Sequence, residues 1–100
     1  MTVDKNQLAN VDITYDVELY EALNRLEQNE DFKKVILDDY CKKYALGRVS
    51  LLGVPGYEGP IRAKIMEELV SISNLMYYFG KIKNLGSTAK EDLVEENIND

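Results

Sequence analysis

Tyr40, Tyr44 and Arg48 recur at one-turn spacing, with Lys42 and Lys43 beside them in sequence. Aromatic rings stack on nucleobases and cations meet phosphates. Tyr40, Lys43, Tyr44 and Arg48 therefore form a candidate site for a nucleotide or cyclic dinucleotide. A plainer reading competes: the tyrosines bury their rings and leave their hydroxyls at an interface edge. Adjacent carboxylates are plentiful: Asp38 with Asp39, Glu67 with Glu68, Glu95 with Glu96. Neighbours on a helix diverge by about 100°, so such pairs read as a solvated charged face, not an acid/base dyad.

Histidine is absent, which removes the usual general base and the commonest transition-metal ligand. The Glu-x-x-His pairs of a di-metal helical bundle cannot be built. No catalytic residue, metal site or cofactor follows, and the chain reads as a non-enzyme. Cys41, the single cysteine, falls in an apolar arc and reads as an inert buried thiol. Tyr57 sits in a turn, where it either anchors a contact or tucks back onto the backbone.

One hundred residues imply one domain with a modest core, a size at which oligomerisation is a common supplement. Eighteen acidic against twelve basic residues give a formal charge of −6, which argues against broad nucleic-acid binding. A lone cysteine excludes an intramolecular disulfide and suggests a reducing cytoplasm. No signal-peptide core or membrane-length apolar run is evident, so no membrane association is expected.

These side chains must be positioned by helices. Residues 1–12 are unpatterned and read as a flexible arm. Asp12 or Thr14 then caps a short helix over about 15–28, carried by Val17, Leu19, Tyr20, Ala22, Leu23 and Leu26. Asn29 is an N-cap, with Glu30 and Asp31 in the first turn of a second helix to about residue 52. On that helix Lys34–Asp38, Asp38–Lys42 and Asp39–Lys43 are opposite charges four apart. Ile36, Leu37, Tyr40, Cys41, Tyr44, Ala45, Leu51 and Leu52 share a broad arc, while Phe32, Val35 and Leu46 lie on another side.

The segment "GVPGYEGP", residues 53–60, reads as a stop, a turn and a start. Gly53 is the left-handed C′ residue, Pro55-Gly56 the centre of a type II turn, and Gly59-Pro60 the N-cap and first position of the next helix. That helix is expected over about 60–85. Ile61, Ile65, Leu69, Ile72, Leu75, Met76, Phe79 and Ile82 form its core face, and Met66, Val70 and Tyr77 a second stripe. Gly80 is assigned to close helix approach and Gly86 to the C-cap. Thr88-x-x-Glu91 then opens a short acidic helix over about 89–97.

The expected fold is all-α. A hairpin of two long antiparallel helices spans 13–86, with short flanking helices and an acidic C-terminal helix or tail over 87–100. Surplus apolar stripes predict a homo-oligomer, most simply a C₂ dimer, with Phe32, Val35, Leu46, Met66, Val70 and Tyr77 at the interface.

"LNRLEQNEDFKKVILDDYCKKYALGRVSLL", a Pro/Gly break, and "IMEELVSISNLMYYFGKIKNLGSTAKEDL" together resemble small helical proteins of tailed bacteriophages. The matching features are the "NEDFKKVIL" helix start, the "L-x-x-I-S-N-L-x-x-x-F" core and the following "G-x-x-A-x-x-x-L", over about residues 22–93. The loop is richer in glycine than is usual for such proteins, and the cysteine is unusual. The resemblance implies phage origin and a non-enzymatic role through protein–protein interaction, in virion assembly, located in the host cytoplasm or the virion. The alternative is an anti-defence protein that sequesters a cyclic nucleotide signal or blocks a host defence protein. A weaker third option is mimicry of nucleic acid by the acidic surface.

Overall fold

A computed structural model describes the backbone of residues 5–99 and the side chains of residues 13–92. Three helical runs make up the fold, and among the described residues there is no strand. Helix α1 is Lys5–Glu27, α2 is the unbroken run 30–51, and α3 is Pro60–Asn99. Among the described residues, no helix is long and apolar enough to cross a membrane.

Helix α1 begins at Lys5, ten residues before the expected start, so neither Asp12 nor Thr14 is its cap. Residues 5–12, read from their polarity as an arm, are helical. They contain no glycine or proline, and Lys5, Gln7, Leu8 and Ala9 are strong helix formers. Polarity suppressed the periodic signal without opposing the helix.

The start of α2 follows the sequence rules. The Asn29 side chain accepts from the Phe32 amide at 2.9 Å, and Glu30 and Asp31 occupy the first turn. The next twelve residues, Lys33–Tyr44, are π-helical, and Ala45–Leu51 returns to α geometry. Here the sequence repeats every four residues: Ile36-Leu37, Tyr40-Cys41 and Tyr44-Ala45 alternate with Asp38-Asp39 and Lys42-Lys43. That repeat outruns an α turn of about 3.6 residues, whereas wider i→i+5 turns accommodate it. The expected ladder of i,i+4 ion pairs is a casualty. Among the described residues, none of Lys34–Asp38, Asp38–Lys42 and Asp39–Lys43 closes to an ion pair.

The turn after α2 confirms two of its three expected devices. The Tyr57 amide donates to the Val54 carbonyl at 3.2 Å across Pro55-Gly56, and Gly56 has φ +90°. Gly59, at φ +61°, accepts from the Ala63 amide at 3.0 Å, so it caps α3. Gly53 is not left-handed. The end of α2 instead tightens, with Leu52 donating to Val49 and Val54 to Leu51, both at 3.1 Å. Arg62 Nη1 donates to the Leu52 carbonyl at 2.9 Å. With those carbonyls satisfied, no left-handed cap is needed.

Helix α3 runs unbroken past Gly86 to Asn99. The expected C-cap and second helix start are therefore both corrected, and Thr88 and Glu91 lie mid-helix. Gly86 serves a different purpose. It is buried, and a Cβ there would collide with the Tyr20 side chain (Cβ, and Cγ at 2.6 Å) and approach the Asp16 carbonyl at 3.0 Å. Gly80, assigned to close approach from its sequence, has open space where its Cβ would stand. The close approach assigned to Gly80 belongs to Gly86, and neither glycine ends the helix.

The chain divides into two compact units. One joins residues up to Leu26 with residues from Phe79. Its buried side chains are Leu23, Ile82 and Ala89, with Lys90 Nζ 3.8 Å from Glu21 Oε1 at its rim. The other is Glu27–Tyr78, where Ile65 and Ile72 are buried, each contributing roughly 1.5–3 kcal/mol. Leu69 and Leu75 are half-buried beside them, but Ile61 and Met76, expected on the core face, are exposed, as is Leu26.

The two glycines give a paired prediction. Gly86→Ala overpacks against Tyr20 and lowers stability by roughly 1–3 kcal/mol. Gly80→Ala removes a helix-interior glycine from open space and raises stability by about 0.5–1 kcal/mol. Urea unfolding followed by circular dichroism gives both values, and equal effects of the two substitutions would refute the assignment.

Candidate functional site

Of the residues singled out on α2, Tyr40, Tyr44 and Arg48 meet and Lys43 does not. Tyr40 and Tyr44 are stacked, with ring centroids 6.0 Å apart and planes 20° from parallel. Arg48 Cζ lies 5.8 Å from the Tyr44 ring centroid, a cation–π contact worth about 0.5–1 kcal/mol near the surface. What the sequence reading missed is the fourth member, Glu68 of α3. Arg48 Nη2 donates to Glu68 Oε1 at 3.2 Å. Arg48 Nε sits 2.7 Å from Oε2 with its N–H directed off that oxygen, so this is an ionic contact and not a second hydrogen bond. The Tyr44 hydroxyl donates to Oε2 at 2.9 Å.

One carboxylate thus holds both the phenol and the guanidinium. Glu68 was grouped with Glu67 as a solvated pair. Glu67 is exposed, but Glu68 is half-buried. A signal was present, because Glu68 stands three residues after Ile65 and four before Ile72. An acid inside a core stripe requires a cation or donor partner.

This geometry changes what the cluster can bind. Arg48 is neutralised, and the carboxylate beside the stacked rings repels an anion. Lys43 is not part of the cluster. With Lys34, Val35, Asp38 and Asp39 it lines a shallow, open groove of about 370 Å³, whose two lysines and two aspartates cancel. Tyr40 is half-buried and Tyr44 exposed at one edge.

The hydrogen bond to Glu68, with smaller contributions from burial and from the Glu68 charge, holds the Tyr44 phenol above its usual range. At Cys41, half-buried on the same helix, burial raises the thiol pKa and Lys42 opposes the shift only weakly. The thiol is therefore protonated near neutrality and a poor nucleophile.

The remaining singled-out residues fall in two groups. Val35, Leu46, Met66, Val70 and Tyr77 are all exposed, Leu46 at 70% and Tyr77 at 76%. Phe32 and Tyr57 are half-buried, and the Tyr57 amide closes the turn at Val54. Among the described residues, no three Cys, Asp or Glu side chains come together in a way that could hold a metal ion. No known protein family, curated protein or solved structure matches the chain.

Glu68→Ala removes the hydrogen-bond acceptor, and with it the charge, that raise the Tyr44 pKa, so the Tyr44 phenol titrates at lower pH. NMR observation of its ring carbon measures this, with Tyr44→Phe assigning the signal. The sign is fixed by linkage: a raised folded pKa stabilises fully below the unfolded value of about 10 and is lost as pH climbs through the folded one. An unchanged Tyr44 titration in Glu68→Ala would refute the contact. A double-mutant cycle between Arg48→Ala and Glu68→Ala is expected to return up to about 1 kcal/mol, as for other partly exposed pairs.

Proposed function

We propose that this chain is a non-enzymatic protein of bacteriophage origin that works through helix-surface contacts, with itself and with a phage or host protein, in virion assembly. Its working unit is a hairpin of α2 and the first half of α3, which completes its core by homo-oligomerisation. The observation that carries this reading is an imbalance of apolar surface. Among the described side chains only Leu23, Ile65, Ile72, Ile82 and Ala89 are buried hydrophobics. Val35, Leu46, Val49, Ile61, Met66, Val70, Met76 and Tyr77 are all exposed. Scattered exposed apolar residues are ordinary, but several along two helices of one small unit mark an interaction surface. The phage assignment rests on the sequence resemblance over residues 22–93.

A second reading is sequestration of a cyclic nucleotide signal. The stacked Tyr40–Tyr44 pair with Arg48 over Tyr44 favours it. Glu68 weighs against it, since binding phosphate at Arg48 means breaking the contacts at 2.7 and 3.2 Å.

Native mass spectrometry of the full chain, with and without a mixture of cyclic di- and trinucleotides, separates these readings. The expected result is a discrete oligomer with no added mass. A monomer at micromolar concentration overturns the oligomeric reading, and stoichiometric nucleotide mass transfers the assignment to signal sequestration. Co-purification with intact particles then checks the assembly role.

A further inference from the structure

Met66, Val70, Ser73 and Tyr77 follow one another on α3 in steps of four, three and four. This is the a/d spacing of a coiled-coil seam, which fits another α-helix. All four are exposed, Met66 at 44%, Val70 at 54% and Tyr77 at 76%. The seam is separate from the core stripe of Ile65, Leu69, Ile72 and Leu75. It also crosses a run unlike the rest of the chain: Leu69–Gly80 contains no charged residue, in a protein that is 30% charged. Depletion of charged residues is a mark of the core of an interface between chains.

We propose that this seam pairs with the same seam of a second copy, antiparallel, about a two-fold axis passing between positions 71 and 72. The inference rests on the self-association reading above and names its interface. The seam is self-complementary in that register. Met66 meets Tyr77 of the partner subunit, a thioether against an aromatic ring, and Val70 meets Ser73 of the partner subunit. By symmetry each contact occurs twice, as an isologous interface requires.

Parallel pairing lacks this fit. It stacks Tyr77 on Tyr77 of the partner subunit and Ser73 on Ser73 of the partner subunit, one layer overfilled and one underfilled. The flanks agree with the antiparallel choice. On one edge, Glu67 falls beside Asn74 of the partner subunit, so a carboxylate meets an amide donor instead of another carboxylate. On the other edge lies Met76, exposed at 51%.

Crosslinking on the polar edge tests the register without disturbing the seam. In a Cys41→Ser background, Glu67→Cys and Asn74→Cys chains are treated with a short thiol–thiol crosslinker, separately and after mixing. Helicity is checked by circular dichroism and association by sedimentation. The expected result is a covalent Glu67→Cys/Asn74→Cys heterodimer in the mixture, at least tenfold above any Glu67→Cys homodimer. A dominant Glu67→Cys homodimer means parallel pairing and overturns the proposal. An oligomer by sedimentation that yields no such crosslink means another face is used; it overturns this interface and leaves self-association standing. A monomer by sedimentation overturns both. Independently, Tyr77→Glu is expected to weaken dimerisation by at least tenfold with helicity retained, and unchanged association would also overturn the proposal.

Discussion

The carboxylate of Glu68 is a charge set into the apolar stripe of α3, and the organisation of the central unit answers to it. A half-buried anion gives up part of its hydration and needs a cation or donor in exchange. Arg48 and Tyr44 meet that demand from α2, one with a guanidinium and one with a phenolic hydroxyl. Tyr44 in turn offers its ring to Tyr40 and to Arg48. Residues that resemble a ligand-binding trio in sequence are thereby occupied with one another. The same groups that would recognise a phosphate and a base recognise an internal acid instead.

Where the polar demand is met inside the chain, the apolar demand is not. The buried residues are few, and the exposed ones are concentrated on α2 and the first half of α3. Hydrophobic burial is roughly proportional to area removed from water, so leaving such surface wet forgoes stabilisation that a partner surface can recover. This asymmetry, a polar cluster paired within the chain beside uncovered apolar stripes, directs the functional reading toward macromolecular contact.

Elements with local causes were legible in the sequence. Asn29 as a cap, the Pro55-Gly56 turn and Gly59-Pro60 as a helix start each depend on two to four neighbouring residues. Elements with distant causes were not. Gly86 resembles a helix stop because glycine often is one, but its role comes from Tyr20, remote in sequence. Glu68 resembled its neighbour Glu67 until Arg48, twenty residues away, was placed against it. The π-helical turns of Lys33–Tyr44 were half-visible as a four-residue repeat, which a wheel drawn at α-helical spacing cannot register. The exposed stripe of Met66, Val70 and Tyr77 was readable because periodicity alone sets it apart from the core face.

The two units also differ in how the chain must travel to build them. Glu27–Tyr78 is continuous, and its helices are joined by a short turn. The other unit recruits residues up to Leu26 and residues from Phe79, which have all of Glu27–Tyr78 between them. Loop-closure entropy grows with the length of flexible chain enclosed. Once the central segment is ordered, the effective loop shrinks to far fewer mobile residues. The unit that closes around Gly86 is therefore less costly to form once the segment bearing the exposed stripes is ordered. In a chain emerging from the ribosome, that surface is available to a partner before the last helical turns have been made.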